Sequence, residues 1–344
     1  MGDGNDQGRV AIREPVLITG AAGFIGRHLA RRLVDQGVAV RALLLPDEVA
    51  PEAWGTLSTP IEIVRGDVTD PASLRQAFGG ARAAGTVVHL AAVVGDWGPE
   101  ALFQRVTVDG TGHVVDAAAE AGSRLVLASS IVVYGHRLGR EVCSEELPHG
   151  RALGPYSRAK QAQERLAIER CRERDVELSI VRPANVFGPG SRPWVEMVLP
   201  LLHRRQVTLI GGGDHDAGLV HVENLVDLLI LAASDAAVGG VYNAADGAEI
   251  TWRRYFSDLA EIVGAPPPTA APYLAARAVA PFYERLWTLL RRTERPPLTR
   301  EALNLAAARY RLPTDRARDE LGWSPRVDYA EAIDALAAWL RSSS

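Results

Sequence analysis

Apolar positions in the first half of the chain fall in short, nearly all apolar runs: Val16-Leu17-Ile18-Thr19, Val38 to Leu44, Ile61 to Val64, Thr86 to Leu90, Arg124 to Ala128 and Glu177 to Val181. Between them lie longer Ala-, Leu- and Arg-rich stretches suited to helices. This alternation predicts βαβ units. Strands that are apolar throughout are covered on both faces, so the expected fold is α/β, a Rossmann-like doubly wound parallel sheet between helices. Beyond Phe187 the alternation breaks at Pro189-Gly190, Pro193 and Gly211-Gly212-Gly213. The expected division is a mobile tail over residues 1–14, a dinucleotide-binding domain over 15–187 with segments returning to it later, and a smaller carboxy-terminal substrate lobe over 188–344.

The first strand runs into Gly20-Ala21-Ala22-Gly23-Phe24-Ile25-Gly26 and then into a helical stretch reaching about Val34. Three glycines between a strand and a helix suit a pyrophosphate. The first permits the turn, the second admits backbone amides to the phosphates, and the third allows close helix-to-strand packing. After the fifth strand comes Ser129-Ser130-Ile131-Val132, and 26 residues past Ser130 stand Tyr156 and Lys160, four apart on one helical face. A tyrosine is a poor base near its reference pKa of about 10, but an adjacent ammonium and an oxidised nicotinamide favour the phenolate. Such a tyrosine can exchange a proton with an alcohol while hydride moves at the same carbon, although the pair taken alone reads more readily as core plus a solvated charge.

The GxxGxxG spacing, with Asp67 in Gly66-Asp67-Val68, Leu90-Ala91-Ala92, Ser130, Tyr156, Lys160 and Arg182-Pro183-Ala184-Asn185, resembles the extended short-chain dehydrogenase/reductase family from about Pro15 to Leu340. The resemblance implies a catalytic Ser130, Tyr156 and Lys160. It implies a cofactor site at Gly20, Gly23, Phe24, Ile25, Gly26, Asp67, Val68, Leu90, Ala91, Ala92, Tyr156, Lys160 and Pro183. Asp67 is matched to the adenine contact, and its alternative reading is a turn residue. At the end of the second strand, where the family carries Asp or Arg, this chain has Leu43-Leu44-Leu45-Pro46-Asp47. The choice between NAD and NADP stays open there, with Asp47 favouring NAD. Thr107 stands where the family has Asn, which puts a relay or backbone-pinning role in doubt.

Three functions compete. A dehydratase needs an acid and a base after Ser130, where this chain has Ile131 and Val132. Nucleotide-sugar enzymes of the family carry an arginine on the substrate diphosphate, and the matching position is Ala217. Gly95-Asp96-Trp97, Glu223-Asn224, Pro296 to Arg300 and Glu320 to Pro325 look like the 3β-hydroxysteroid dehydrogenase-like branch. The expected reaction is therefore alcohol–ketone interconversion on a steroid-like, terpenoid or β-hydroxyacyl substrate. Nucleotide-sugar 4-epimerisation and a non-catalytic cofactor sensor are the alternatives. Tyr273, Ala276, Ala280, Tyr283, Leu286 and Leu290 form an apolar stripe, either plain core or a lid. His221 reads as structural.

Composition changes this picture little. A net charge of −4 gives no reason to expect nucleic acid. Cys143 and Cys171 are too few for a disulfide framework and have no metal-ligand spacing, which fits the reducing cytoplasm. No secretory signal or membrane span is expected. A homodimer is expected through the helices near Ala101 to Ala121 and Tyr156 to Arg174.

Overall fold

The computed structural model describes residues 11–80 and 82–342. Six parallel strands follow the apolar runs: β1 (Val16–Thr19), β2 (Val40–Leu44), β3 (Glu62–Arg65), β4 (Thr86–His89), β5 (Arg124–Ala128) and β6 (Leu178–Pro183). A seventh strand, Val241–Ala244, returns from the second half of the chain to pair with β6. The order across the sheet is β3-β2-β1-β4-β5-β6 and then Val241–Ala244, so the winding reverses between β1 and β4. Ligands of open α/β sheets bind at that switch point, outside the carboxyl ends of the strands.

Helices α1 (Phe24–Asp35), α2 (Pro71–Phe78), α3 (Glu100–Phe103), α4 (Gly110–Ala121) and α5 (Pro155–Arg174) follow in chain order. A single π turn, Gln104–Asp109, joins α3 to α4. Alternate side chains of β1 divide between two cores, as the two-residue strand period requires. Val16 and Ile18 pack with Leu29 and Leu33 of α1, while Leu17 packs with Leu74 of α2 and Val115 of α4. Asp70 caps α2 by accepting from Ala72 N and Ser73 N at 3.0 and 3.3 Å, with Pro71 in the first turn. One expectation fails at the sheet edge. β3 is not covered on both faces, because no strand lies beyond it and Glu62, Ile63 and Arg65 are exposed.

Past β6 the chain forms two short parallel pairs, Asn185–Phe187 with Leu219–His221 and Thr208–Ile210 with Thr269–Ala271. Their core is aromatic: Trp252 stacks on Phe256 with centroids 5.2 Å apart, and Phe187 meets Tyr255 edge-on at 5.6 Å. The helices Leu199–His203 (α6), Val222–Leu231 (α7), Trp252–Ile262 (α8), Tyr273–Leu289 (α9) and Arg300–Ala307 (α10) complete the part that bears on the site. α7 returns to the sheet, where Leu225 and Leu229 join the α1 core. Within the expected amino-terminal tail, residues 1–10 lie outside the described residues; Arg13 donates to Glu177 at 3.0 Å, and Glu14 accepts from Ala39 N at 2.9 Å.

Candidate active site

The glycine turn opens the switch point. Gly20 has φ 67°, the left-handed region that a β-carbon disfavours. A β-carbon on Gly26 would stand 2.7 Å from Ala21 Cα, so the helix approaches the strand as closely as backbone permits. No side chain caps α1 and no acidic residue occupies its first turn, which leaves its N–H groups directed at an anion. Leu90 N and Ala91 N donate to the Thr19 backbone oxygen and hydroxyl, both at 3.2 Å, tying the Leu90-Ala91-Ala92 segment to the end of β1. After β3, Asp67 Oδ1 accepts from Thr69 N at 2.8 Å. Both readings of Asp67 are compatible with this geometry, since the turn uses one carboxylate oxygen. At the end of β2, Leu45 and Asp47 are exposed, and Arg65 from β3 donates to Leu45 O at 3.0 Å. These residues fit a dinucleotide laid across the ends of β1, β2 and β4.

Ser130, Tyr156 and Lys160 converge on the same edge. Ser130 follows β5 and caps the next turn, accepting from Val132 N at 3.3 Å. Its hydroxyl also lies close to the half-buried Tyr156 phenol. Burial pushes the phenol up to about 12, the nearby Ser130 hydroxyl opposes the rise, and the Glu301 carboxylate adds to it. Lys160 is buried, and burial brings its ammonium down to about 8 against the pull of Glu164. Its Nζ donates to Ala128 O at 2.8 Å and to Gln163 Oε1 at 2.9 Å. The ammonium thus grips the end of β5 rather than the phenol.

Behind Lys160 runs a buried polar chain. Gln163 Nε2 donates to Thr111 Oγ1 at 2.8 Å, and Thr111 donates to Thr107 O at 2.7 Å. His89 Nε2 meets the same Thr111 oxygen at 2.9 Å, and His89 Nδ1 meets Thr19 Oγ1 at 2.7 Å. Thr111 has already given its one proton, so His89 carries hydrogen on Nε2 and accepts from Thr19. Burial, with the nearby Lys160 charge, takes His89 down to about 3 and keeps it neutral. Thr107 lies in the π turn, where its hydroxyl accepts from Val93 N at 3.0 Å. A threonine therefore suffices to pin the backbone that follows β4.

The model of the NAD dependent epimerase/dehydratase family matches residues 16–245. The chain belongs to that family. A 4-hydroxy-2-methyl-3-oxo-4-farnesyl-3,4-dihydroquinoline-1-oxide ketoreductase of Stigmatella aurantiaca is 29% identical over 93% of this chain and 94% of its own. A 2-alkyl-3-oxoalkanoate reductase of Stenotrophomonas maltophilia is 28% identical over 94% and 98%. A UDP-glucose 4-epimerase of Mycolicibacterium smegmatis is 30% identical over 95% and 99%. As a member of the epimerase/dehydratase family, the chain is an NAD(P)-dependent enzyme of the extended short-chain type.

Several further positions make contacts that hold the fold together. Arg182 is buried and binds Glu164 through two nitrogens at 3.0 and 2.8 Å, clamping α5 to β6. Pro183 ends β6 beside Ala184, whose N donates to Ala244 O at 2.9 Å. Val68 is buried and accepts from His113 at 3.1 Å through its backbone. His221 is buried against Phe187, and burial lowers it to about 4, so it stays neutral. Cys143 and Cys171 are buried and free. Among the described residues, no helix is long and apolar enough to cross a membrane.

Sequence reading missed Glu301. This carboxylate of α10, the helix capped by Thr299, is 3% exposed and accepts from Ser157 N at 2.8 Å, at the open amino terminus of α5. α5 has Gly154 ahead of Pro155 and no side-chain cap of its own. The same helix sends Asn304 Nδ2 to Gly135 O at 3.1 Å, in the turn that follows Ser130. α10 therefore braces both segments that carry the hydroxyl pair. The only prior signal was a carboxylate two residues after a Thr cap.

Proposed function

We propose that this enzyme interconverts a secondary alcohol and a ketone on a hydrophobic substrate, with NAD or NADP as the hydride carrier. The observation that supports it most is the Ser130–Tyr156 hydroxyl pair at the switch-point crevice, followed by the buried apolar Ile131 and Val132. A bound nicotinamide supplies or accepts the hydride. In reduction, Tyr156 gives its proton to the carbonyl oxygen while Ser130 donates a hydrogen bond to the same atom. The high proton affinity of Tyr156 keeps that proton in place until an alkoxide, a stronger base, takes it. Lys160 has spent two of its three N–H donors within the protein, leaving one for a ribose hydroxyl.

The apolar pair after Ser130 leaves no acid and base for dehydration. Ala217 is fully buried and its carbonyl accepts from Asn185 Nδ2 at 2.7 Å, so it offers no cation to a diphosphate. Nucleotide-sugar 4-epimerisation stands second, favoured by the mycobacterial relative. The proposal also keeps residues 15–187, joined by the strand Val241–Ala244, as the cofactor domain and residues 188–344 as mainly the substrate lobe. α4 and α5, side by side, serve as the homodimer face, and two buried thiols fit a cytoplasmic enzyme.

The test follows oxidation of NADH and NADPH with hydroxysteroid, terpenoid and 3-oxoacyl ketones, alongside UDP-glucose. Turnover of an apolar ketone that falls about 10³-fold in Tyr156→Phe, with dinucleotide affinity kept, is expected. UDP-glucose epimerised with no net change in NADH absorbance would defeat the proposal. Sedimentation velocity checks the dimer.

A further inference from the structure

A groove of about 850 Å³ opens between the Asp96–Glu100 loop, the start of α5 and the carboxyl half of α9, lined there by Pro155, the chain neighbour of Tyr156. Its floor is apolar, with Trp97, Leu153, Pro155, Pro281 and Leu289. Its charge is not balanced. Arg158 is paired with Glu100, Arg300 with Glu284 at 2.6 Å, and the neighbouring Arg295 with Asp96 at 2.6 Å. Those pairings use every carboxylate in the lining. Arg285, Arg291 and Arg292 also line the groove, and among the described residues none has a carboxylate partner. Arg292 is instead held over the Trp287 ring, 5.2 Å from its centroid. Arg291 has φ 49°, in the left-handed region that glycine usually fills after a helix, so a guanidinium stands there at a backbone cost.

We infer that the groove takes a ketone substrate with an acidic head group. Its apolar body lies on Trp97, Leu153 and Pro155 towards Tyr156, and its anion lies among Arg285, Arg291 and Arg292. This rests on the ketoreductase reading and narrows it. A neutral steroid or terpenoid would leave three guanidinium groups unanswered at the rim of an apolar slot. A 3-oxo acid or its coenzyme A thioester answers them, through a carboxylate in one case and phosphates in the other.

The experiment compares kcat/KM for one 2-alkyl-3-oxo acid, its methyl ester and its coenzyme A thioester. The acid or the thioester is expected to exceed the ester about tenfold, mostly through KM, the size that three exposed charges supply together. Whichever of the two is preferred identifies the anion as carboxylate or phosphate. That ratio to the ester collapses at high salt in the wild-type enzyme and in the triple variant Arg285→Gln, Arg291→Gln, Arg292→Gln. The salt series needs no variant to fold. An ester used as well as both anions, or a preference insensitive to salt, overturns the inference and leaves the ketoreductase reading standing. If no ketone turns over while the dinucleotide binds, the ketoreductase reading itself falls, and this inference with it.

Discussion

The cofactor side and the substrate side of the crevice are built by opposite means. On the cofactor side, contiguous segments do the work: one strand, one glycine turn and one helix, locked to the next strand through Thr19 and Ala91. Backbone atoms make the site, and the interior behind it is buried and hydrogen-bonded from Lys160 through Gln163 and Thr111 to His89. On the substrate side, short pieces from distant parts of the chain meet, and charged side chains at the surface make the site. The first construction tolerates little change anywhere; the second can change its specificity one side chain at a time.

That contrast can be broken or sharpened by substitution. The largest effect is expected from Gly26→Ala, because the added methyl meets backbone that cannot rotate away. Overpacking of this kind costs about 1–3 kcal/mol, read as a rise of tens-fold in the Kd for NAD together with a lower Tm. An unaltered Kd would show that the turn is looser than its geometry. Next comes Gln163→Leu, which leaves one buried Lys160 N–H without its acceptor and removes one donor to Thr111 Oγ1, at about 1–3 kcal/mol. The melting temperature should drop and kcat should fall more than KM rises; a change confined to KM would place Gln163 outside the reacting centre.

Glu301→Gln should be the mildest, since the amide oxygen still accepts from Ser157 N. Its signature is pH dependence. Burial raises the Glu301 carboxyl from 4.5 to about 7, with the Asp96 charge adding to the rise and Ser157 and Arg158 opposing it. The folded state thus holds a proton that the unfolded state releases, and stability present below pH 4.5 is lost as the pH climbs towards 7. Against the wild type, Glu301→Gln should gain in relative Tm across that window, and removal of the charge should let the Tyr156 limb of the pH–rate profile move down. Parallel Tm curves for the two proteins would remove Glu301 from this role.

What the sequence made legible follows the same divide. Six strands were readable because their sequences are nearly all apolar, five of them as the buried strands of a parallel sheet, and the errors were at their ends: β2 begins at Val40 rather than Val38, and β6 runs on to Pro183. The strand Val241–Ala244 was not picked out, since its burial comes from β6, some sixty residues earlier in the chain. His89 was a polar residue ending an apolar strand, a signal that could have been read. Glu301 could not be: its meaning lies in Ser157, 144 residues away. The unpaired arginines of the groove share that difficulty, because an arginine looks the same in a sequence whether or not folding gives it a carboxylate.

The direction of the hydrogen bonds around Thr111 carries one more consequence. Gln163 and His89 both donate to its oxygen, and its single proton is committed to Thr107 O. Two donors converge on one acceptor there, so no concerted shift of protons can pass from Lys160 to His89. The chain is an insulator, not a wire. A proton consumed at Tyr156 in each turnover is therefore replaced by a route other than this buried chain.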